Sequence, residues 1–187
     1  MIASTHKRLL TLDEYHRMLE SGILEGDERM ELIRGEIFEL TPIGNRHAAC
    51  LRRLLQLLGA GLGSDLLLDA QNPVVLTGQG SEPQPDLVLL RGREDFYAER
   101  PPASEDVLLV VEVSDHSLAY DRDVKIPLYA EAAIPEAWLV DLPGGAVVVH
   151  RRPAFGVYQE IRRLRRGDTF EALARPGLRL RVDSILG

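Results

Sequence analysis

Apolar and polar positions along this chain change period several times, and each change marks an element. Over residues 11–20 the apolar side chains recur at helical spacing. Thr11 is placed as N-cap, and Glu14 three residues on completes a capping box. Gly22 is expected to end that helix. Two stretches of mixed apolar and polar residues, 30–33 and 36–40, flank Arg34-Gly35 and predict a hairpin with a two-residue turn. Pro42-Ile43-Gly44-Asn45 breaks the pattern. His47, Leu51, Leu54, Leu55 and Leu58 then share one face of a helix over residues 46–58, closed by Gly59 and Gly61.

The second half of the chain alternates more rapidly. Residues 66–76 hold a strand or two, with Pro73 favouring an edge or a bulge. Asp86 heads a strand to residue 90, and a loop with Pro101-Pro102 leads to a dense apolar strand over 107–113. A helical region over about 117–133 follows, then strands at 137–141, 146–150 and 157–164, and a short final element or two within 168–186. Helix, three strands, helix and strand, set between an N-terminal hairpin and C-terminal strands, predict an α+β chain with a mixed sheet and helices against it. A length of 187 residues fits one domain. Its N-terminal helix and hairpin span about 11–40, its core about 45–141 and its C-terminal strands about 145–186.

Glu112 lies inside the most apolar run, Val107-Leu-Leu-Val-Val-Glu-Val113. An ionised carboxylate in a strand buried on both faces costs several kcal/mol unless a cation or donors meet it. The loop after residue 90 shows no helical pattern, so antiparallel pairing of the two strands is expected. That pairing brings Asp86 and Glu112 to one edge of the sheet. Two carboxylates there repel and call for a hard cation such as Mg²⁺, with Mn²⁺ as substitute; the Val113 carbonyl would add a third oxygen. Lys125, in the segment turning back over the sheet, would orient or activate a bound water, and Asp121 would hold it as an i,i+4 partner. Pro127 places Lys125 in the first turn of a helix or just before it.

Other residues read more plainly. His47 points inward, as a core or capping histidine ahead of a supporting contact at the metal site or a phosphate contact. Glu31, Glu36 and Glu39 read as solvated hairpin residues. Ser114, Asp115 and Ser117 read as caps for the next helix, and Cys50 as a packing residue.

Charge and composition adjust this picture. The 29 acidic and 22 basic residues leave a net charge of −7, which argues against a general nucleic-acid coat but not against a local basic groove. Lys7 and Lys125 are the only lysines, against twenty arginines. Arg151, Arg152, Arg162, Arg163, Arg165 and Arg166 cluster near the C-terminus. A solvated strand face is the bland account; phosphate contacts by Arg162, Arg163, Arg165 and Arg166 are the sharper one. No stretch approaches the roughly 20 apolar residues of a membrane span, and the first residues lack the apolar core of a signal peptide. A single cysteine fits a reducing compartment, so a cytoplasmic protein with no membrane partner is expected.

Several stretches together resemble the Uma2 family, within the PD-(D/E)XK restriction-endonuclease-like superfamily. They are residues 31–37 (Glu-Leu-Ile-Arg-Gly-Glu-Ile), His47, 85–89 (Pro-Asp-Leu-Val-Leu), 111–114 (Val-Glu-Val-Ser), 121–125 (Asp-Arg-Asp-Val-Lys) with Tyr129, and 134–141 (Ile-Pro-Glu-Ala-Trp-Leu-Val-Asp). The resemblance spans roughly residues 11–183. It implies an αβββαβ core, Asp86 and Glu112 as metal ligands, and a Mg²⁺-dependent nuclease as ancestral activity. It also implies nucleic acid as partner, DNA ahead of RNA, and a homodimer. Ser114 stands where the superfamily pattern has a lysine, which Lys125 replaces from the next helix. Arg34, Ala133 and Ala137 also depart from the family pattern, away from the metal. Catalysis by Asp86, Glu112 and Lys125 is the first reading. A non-catalytic binding or assembly module of the same fold is the alternative, with hydrolysis of a smaller phosphate ester behind it.

Overall fold

The protein is described by a computed structural model that covers residues 6–24 and 30–187. Residues 1–5, part of the stretch read for a targeting signal, lie outside the described residues. Helix α1, Leu12–Glu20, carries the expected capping box between Thr11 and Glu14. Strands β1, Met30–Ile33, and β2, Glu36–Glu39, form the expected hairpin. Its turn puts Arg34 and Gly35 at φ 50° and 79°, the left-handed pair of a type I′ turn. Arg34 takes this conformation without a short polar side chain; its guanidinium reaches Glu131 at 2.8 Å.

Helix α2, Asn45–Gly59, leads into a six-stranded sheet of β3 Leu66–Asp69, β4 Leu87–Arg91, β5 Val107–Ser114, β6 Glu136–Asp141, β7 Ala146–Ala154 and β8 Val157–Arg165. Spatial order follows chain order, and every pairing is antiparallel except β5 with β6. The parallel step is made by a helical crossover, as parallel pairing requires. It contains α3, Leu118–Tyr120, a π turn over Asp121–Lys125, and α4, Ile126–Glu131. The αβββαβ core read from the sequence is therefore present. A small hairpin of β9, Thr169–Glu171, and β10, Arg179–Arg181, ends in α5, Val182–Leu186. Among the described residues, no helix is long and apolar enough to cross a membrane.

Each face of the sheet buries its own core. On one face Leu51, Leu54 and Leu58 of α2 pack with Leu87, Leu109, Val111 and Trp138, and the Phe170 ring meets the Trp138 ring edge-on at 4.9 Å. Cys50 belongs to this core and is fully buried. On the other face Ile126, Leu128 and Tyr129 of the crossover pack against Val88, Leu90, Val110 and Leu139. Strands covered on both sides explain the continuous apolar run of β5. The β1–β2 hairpin docks on the second face, where Leu32 and Glu82 exchange backbone hydrogen bonds. Glu136, at the start of β6, is buried between the Arg151 guanidinium, the Trp138 indole N–H and the Leu173 amide.

Gly35 tests the hairpin. A Cβ there would lie 2.7 Å from Leu9 Cβ and 2.8 Å from the Leu10 carbonyl oxygen, on a residue already at φ +79°. Gly35→Ala is expected to cost about 2 kcal/mol, from left-handed strain plus the backbone clash. The urea midpoint should fall at unchanged slope, and an unmoved midpoint would contradict this account.

Candidate active site

Asp86 immediately precedes β4, and Glu112 lies near the end of β5. The antiparallel register Leu87↔Val111 sets the two residues across from each other at one sheet edge. One Asp86 oxygen accepts the Val113 amide at 2.8 Å, and the other lies 2.9 Å from His47 Nε2 on α2. Burial alone would raise the Asp86 carboxyl. The His47 contact, the Val113 amide and Lys125 outweigh it and hold the group below the ordinary aspartate range. His47 Nδ1 is buried with no hydrogen-bond partner. Because Val113 turns its N–H toward Asp86, its carbonyl faces the same strand edge, opposite Pro85, which has no N–H to offer.

Lys125 closes the other side of the site. Its ammonium lies 2.8 Å from Glu112 Oε1 and 3.3 Å from Glu31 Oε2, and donates to the Gln84 carbonyl at 3.2 Å. Glu112, Glu31 and Lys125 are 2%, 0% and 3% exposed, so this is a buried ionic network rather than a surface one. The Tyr129 hydroxyl donates to Glu112 at 2.5 Å, and the Tyr120 hydroxyl to Glu31 at 2.7 Å. The Gln84 amide supplies Glu31 with a third donor at 3.0 Å. Burial pushes Glu112 up to about 8, against the pull of Lys125 and with help from Asp121 and Asp86. Burial alone would lower Lys125, but Glu112, Glu31 and Asp121 overcome that and raise it, so the ammonium stays charged.

Local chemistry explains how Lys125 comes to point inward. In a regular α-helix the Pro127 ring would meet the carbonyl of Asp123. The chain instead widens into a π turn, with the Ile126 N–H bonding back five residues to the Asp121 carbonyl. Pro127 then falls in the first turn of α4, where its missing N–H is harmless. Lys125, at the seam, is turned to the sheet; π turns of this kind often mark functional sites.

Four carboxylates, those of Asp86, Glu112, Asp115 and Asp121, line one cleft with His47 and Lys125. Asp121 lies under the cleft rather than gripping Lys125 as the expected i,i+4 partner. Its carboxylate accepts the Ser114 and Ser117 hydroxyls at 2.6 and 2.5 Å. Those serines were expected as helix caps. Ser117 does stand at the start of α3, but its hydroxyl serves Asp121 instead of a backbone amide. Asp115 Oδ1 lies 3.2 Å from an Arg46 nitrogen, without the alignment of a hydrogen bond.

Among the described residues, no three His, Cys, Asp or Glu side chains form a ready metal cage. Asp86 and Glu112, which line the cleft with Val113, offer hard oxygens of the type Mg²⁺ takes while keeping several waters. An excess of carboxylates over cations in the cleft favours such an ion.

The largest correction concerns Glu31, expected in solvent and found fully buried as the second partner of Lys125. The signal was available: Met30, Leu32 and Ile33 enclose it much as the apolar run encloses Glu112. The arginine cluster follows the bland account of a solvated strand face. β8 is the third strand beyond β5, about 14 Å across the sheet. There Arg163 pairs with Asp141 at 2.8 Å, while Arg162 and Arg165 are exposed. Arg166, just past β8, bonds the Gly187 carbonyl at 2.7 Å. The structure does not bring these four into the cleft.

Comparison with known proteins follows this geometry. The Uma2 family model, described as "Putative restriction endonuclease", matches residues 12–183. A solved structure, described as "a putative nuclease belonging to DUF820 from Anabaena variabilis ATCC 29413", superposes with a TM-score of 0.74 at 16% identity. The match covers 95% of this chain and 97% of that one, and at this identity it shows a shared, restriction-endonuclease-like fold. No curated protein matches.

Replacing Lys125 would test the network. Lys125→Met leaves Glu31 and Glu112 buried without their cation and is expected to cost about 3–5 kcal/mol near neutral pH. The folded-state pKa of Glu112 is raised from 4.5 to about 8. Its contribution to stability is therefore complete below 4.5 and is lost as pH rises through 8. Without Lys125 the carboxyl is raised further. The variant's deficit should therefore be smallest in acid and grow as pH rises through about 8, where the parent's Glu112 ionises beside its cation and the variant's does not. Urea unfolding at several pH values measures it, and a deficit independent of pH would rule out a network held by buried charge.

Proposed function

The chain belongs to the Uma2 family, and on that premise we propose that it is a metal-dependent endonuclease hydrolysing phosphodiester bonds of nucleic acid, DNA ahead of RNA. The observation that carries this reading is Glu112. It is buried in an apolar strand, faces Asp86 across an antiparallel pair, and has an ammonium 2.8 Å away. Asp86, Glu112 and the Val113 carbonyl would hold Mg²⁺, or Mn²⁺ in its place. Such an ion supplies a Lewis acid that lowers the pKa of water and polarises a phosphoryl oxygen.

The side chains divide the remaining work. His47 and the Val113 amide keep the Asp86 carboxylate ionised and aimed at the cleft. Lys125 is charged, so its part is electrostatic: it offsets negative charge growing on the phosphate oxygens and orients the attacking water. Proton abstraction by its amine would need the neutral form, which its carboxylate neighbours disfavour. Glu31, Tyr120 and Tyr129 act through position, fixing Lys125 and Glu112 by the bonds already described. Pairing of two copies would bring a second cleft to the same nucleic acid.

Calorimetric titration of Mn²⁺ on the protein and on Glu112→Ala, followed by cleavage assays on plasmid DNA and RNA, tests the reading. Binding lost in the variant, and cleavage that falls at least roughly a hundredfold in Asp86→Asn and Glu112→Gln, are expected. Metal binding without cleavage of any nucleic acid would favour the non-catalytic module. Absence of binding in the protein itself would remove the metal from the account.

A further inference from the structure

β8 is the last strand of the six-stranded sheet, and none of the described strands pairs with its outer side. It is nine residues long, whereas β3 at the opposite edge has four. A long edge strand offers a row of unpaired backbone groups, and proteins usually blunt such edges. Here the edge also exposes apolar side chains among its charges. Val157 and Ile161 are 56% and 61% exposed, and Phe155, in the turn before β8, is fully exposed. Phe155 and Gly156 both have positive φ, 54° and 75°, as a type I′ turn requires. A bulky aromatic is a strained choice at that position. Val157 and Ile161 form one rim of a groove whose walls are Ile126 and Ala130 of α4 and Val148 of β7.

We infer that β8 is the interface between two copies of this chain, paired antiparallel about a two-fold axis at Ile161. A two-fold perpendicular to the sheet keeps each side chain on its own face, so only residues of like parity can stand opposite one another. Centring the axis on Ile161 engages the whole strand, Val157 to Arg165, in both copies. Glu160 then stands opposite Arg162 of the second copy, twice by symmetry, and no like charges face each other. Moving the axis to Glu160 opposes two carboxylates, and moving it to Arg162 opposes two guanidiniums. Among the described residues, neither Glu160 nor Arg162 has an ion-pair partner within 4.0 Å in its own chain. Charges on an edge strand ordinarily prevent pairing; these are compatible with the one register that engages the whole strand. On the other face Ile161 meets its own copy, and the two apolar grooves join across the axis. The result is a continuous twelve-stranded sheet, with the interface on the far side of the sheet from the edge strand β3 and the clefts left open.

This deepens the pairing named above without depending on cleavage. Sedimentation equilibrium at micromolar concentration should give twice the chain mass of 20.8 kDa. Glu160→Arg should weaken association about tenfold, because two attractions become two repulsions. Arg162→Glu should do the same, and the double exchange Glu160→Arg with Arg162→Glu should restore it. Ile161→Asp should give a monomer with unchanged circular dichroism. A monomeric parent would overturn the proposal and leave the groove to some other partner. A dimer indifferent to all four variants would overturn it as well. Neither result bears on metal binding at Asp86 and Glu112, so failure here and failure of the nuclease reading are separable.

Discussion

The rest of the site depends on one buried charge arrangement: the Lys125 ammonium held between Glu112 at 2.8 Å and Glu31 at 3.3 Å. Three ionic groups are removed from water together, and such burial is rarely favourable for stability alone. It is offset by hydrogen bonds from groups around it. Tyr129, Tyr120, the Gln84 amide and the Gln84 carbonyl complete the set that the ions leave short. Remove any one and a polar group is stranded in an apolar interior.

That arrangement in turn dictates the local chain geometry. Lys125 can reach the sheet because Pro127 forces the crossover to widen by one residue, bringing the lysine to the seam between the π turn and α4. Glu31 reaches it because Leu32 pairs with Glu82, which lays β1 along the segment leading to Asp86. The hairpin is thus a structural part of the cleft, and its I′ turn at Arg34-Gly35 sets the strand register that aims Glu31 inward.

What could be read from the sequence divides along the range of the interactions involved. The capping box of α1, the hairpin turn and the apolar face of α2 are set by neighbours a few residues apart, and each is found as expected. Asp86 and Glu112 were legible because a charge next to β-rich apolar residues announces its own cost, and because a helix-free loop implies antiparallel pairing. Glu31 and its partner lie 94 positions apart, so the apolar residues around Glu31 signal its burial but not the lysine it meets. Asp121 went astray for a subtler reason. Its spacing to Lys125 is right for a helical pair, but the π turn shifts the register and Ser114 and Ser117 take the carboxylate first. The arginines of β8 were legible as a solvated strand face, whereas their distance from the cleft is decided by the strand order.

The double partnership of Lys125 has a consequence for the proposed chemistry. A divalent ion entering the cleft would compete with the ammonium for Glu112, which has only one side chain to share between them. With Glu112 as its sole carboxylate, Lys125 would lose its main partner whenever the ion bound and would be free to swing toward solvent. Glu31 prevents this. It is fully buried, takes three donors and does not line the cleft, so its hold on Lys125 does not depend on what occupies the metal side. On the proposed reading the lysine would thereby stay beside a bound phosphate, held by a carboxylate that is not itself committed to the ion. A pattern that moves the lysine off the strand and onto the crossover needs such an anchor, because the crossover gives it none from its own backbone.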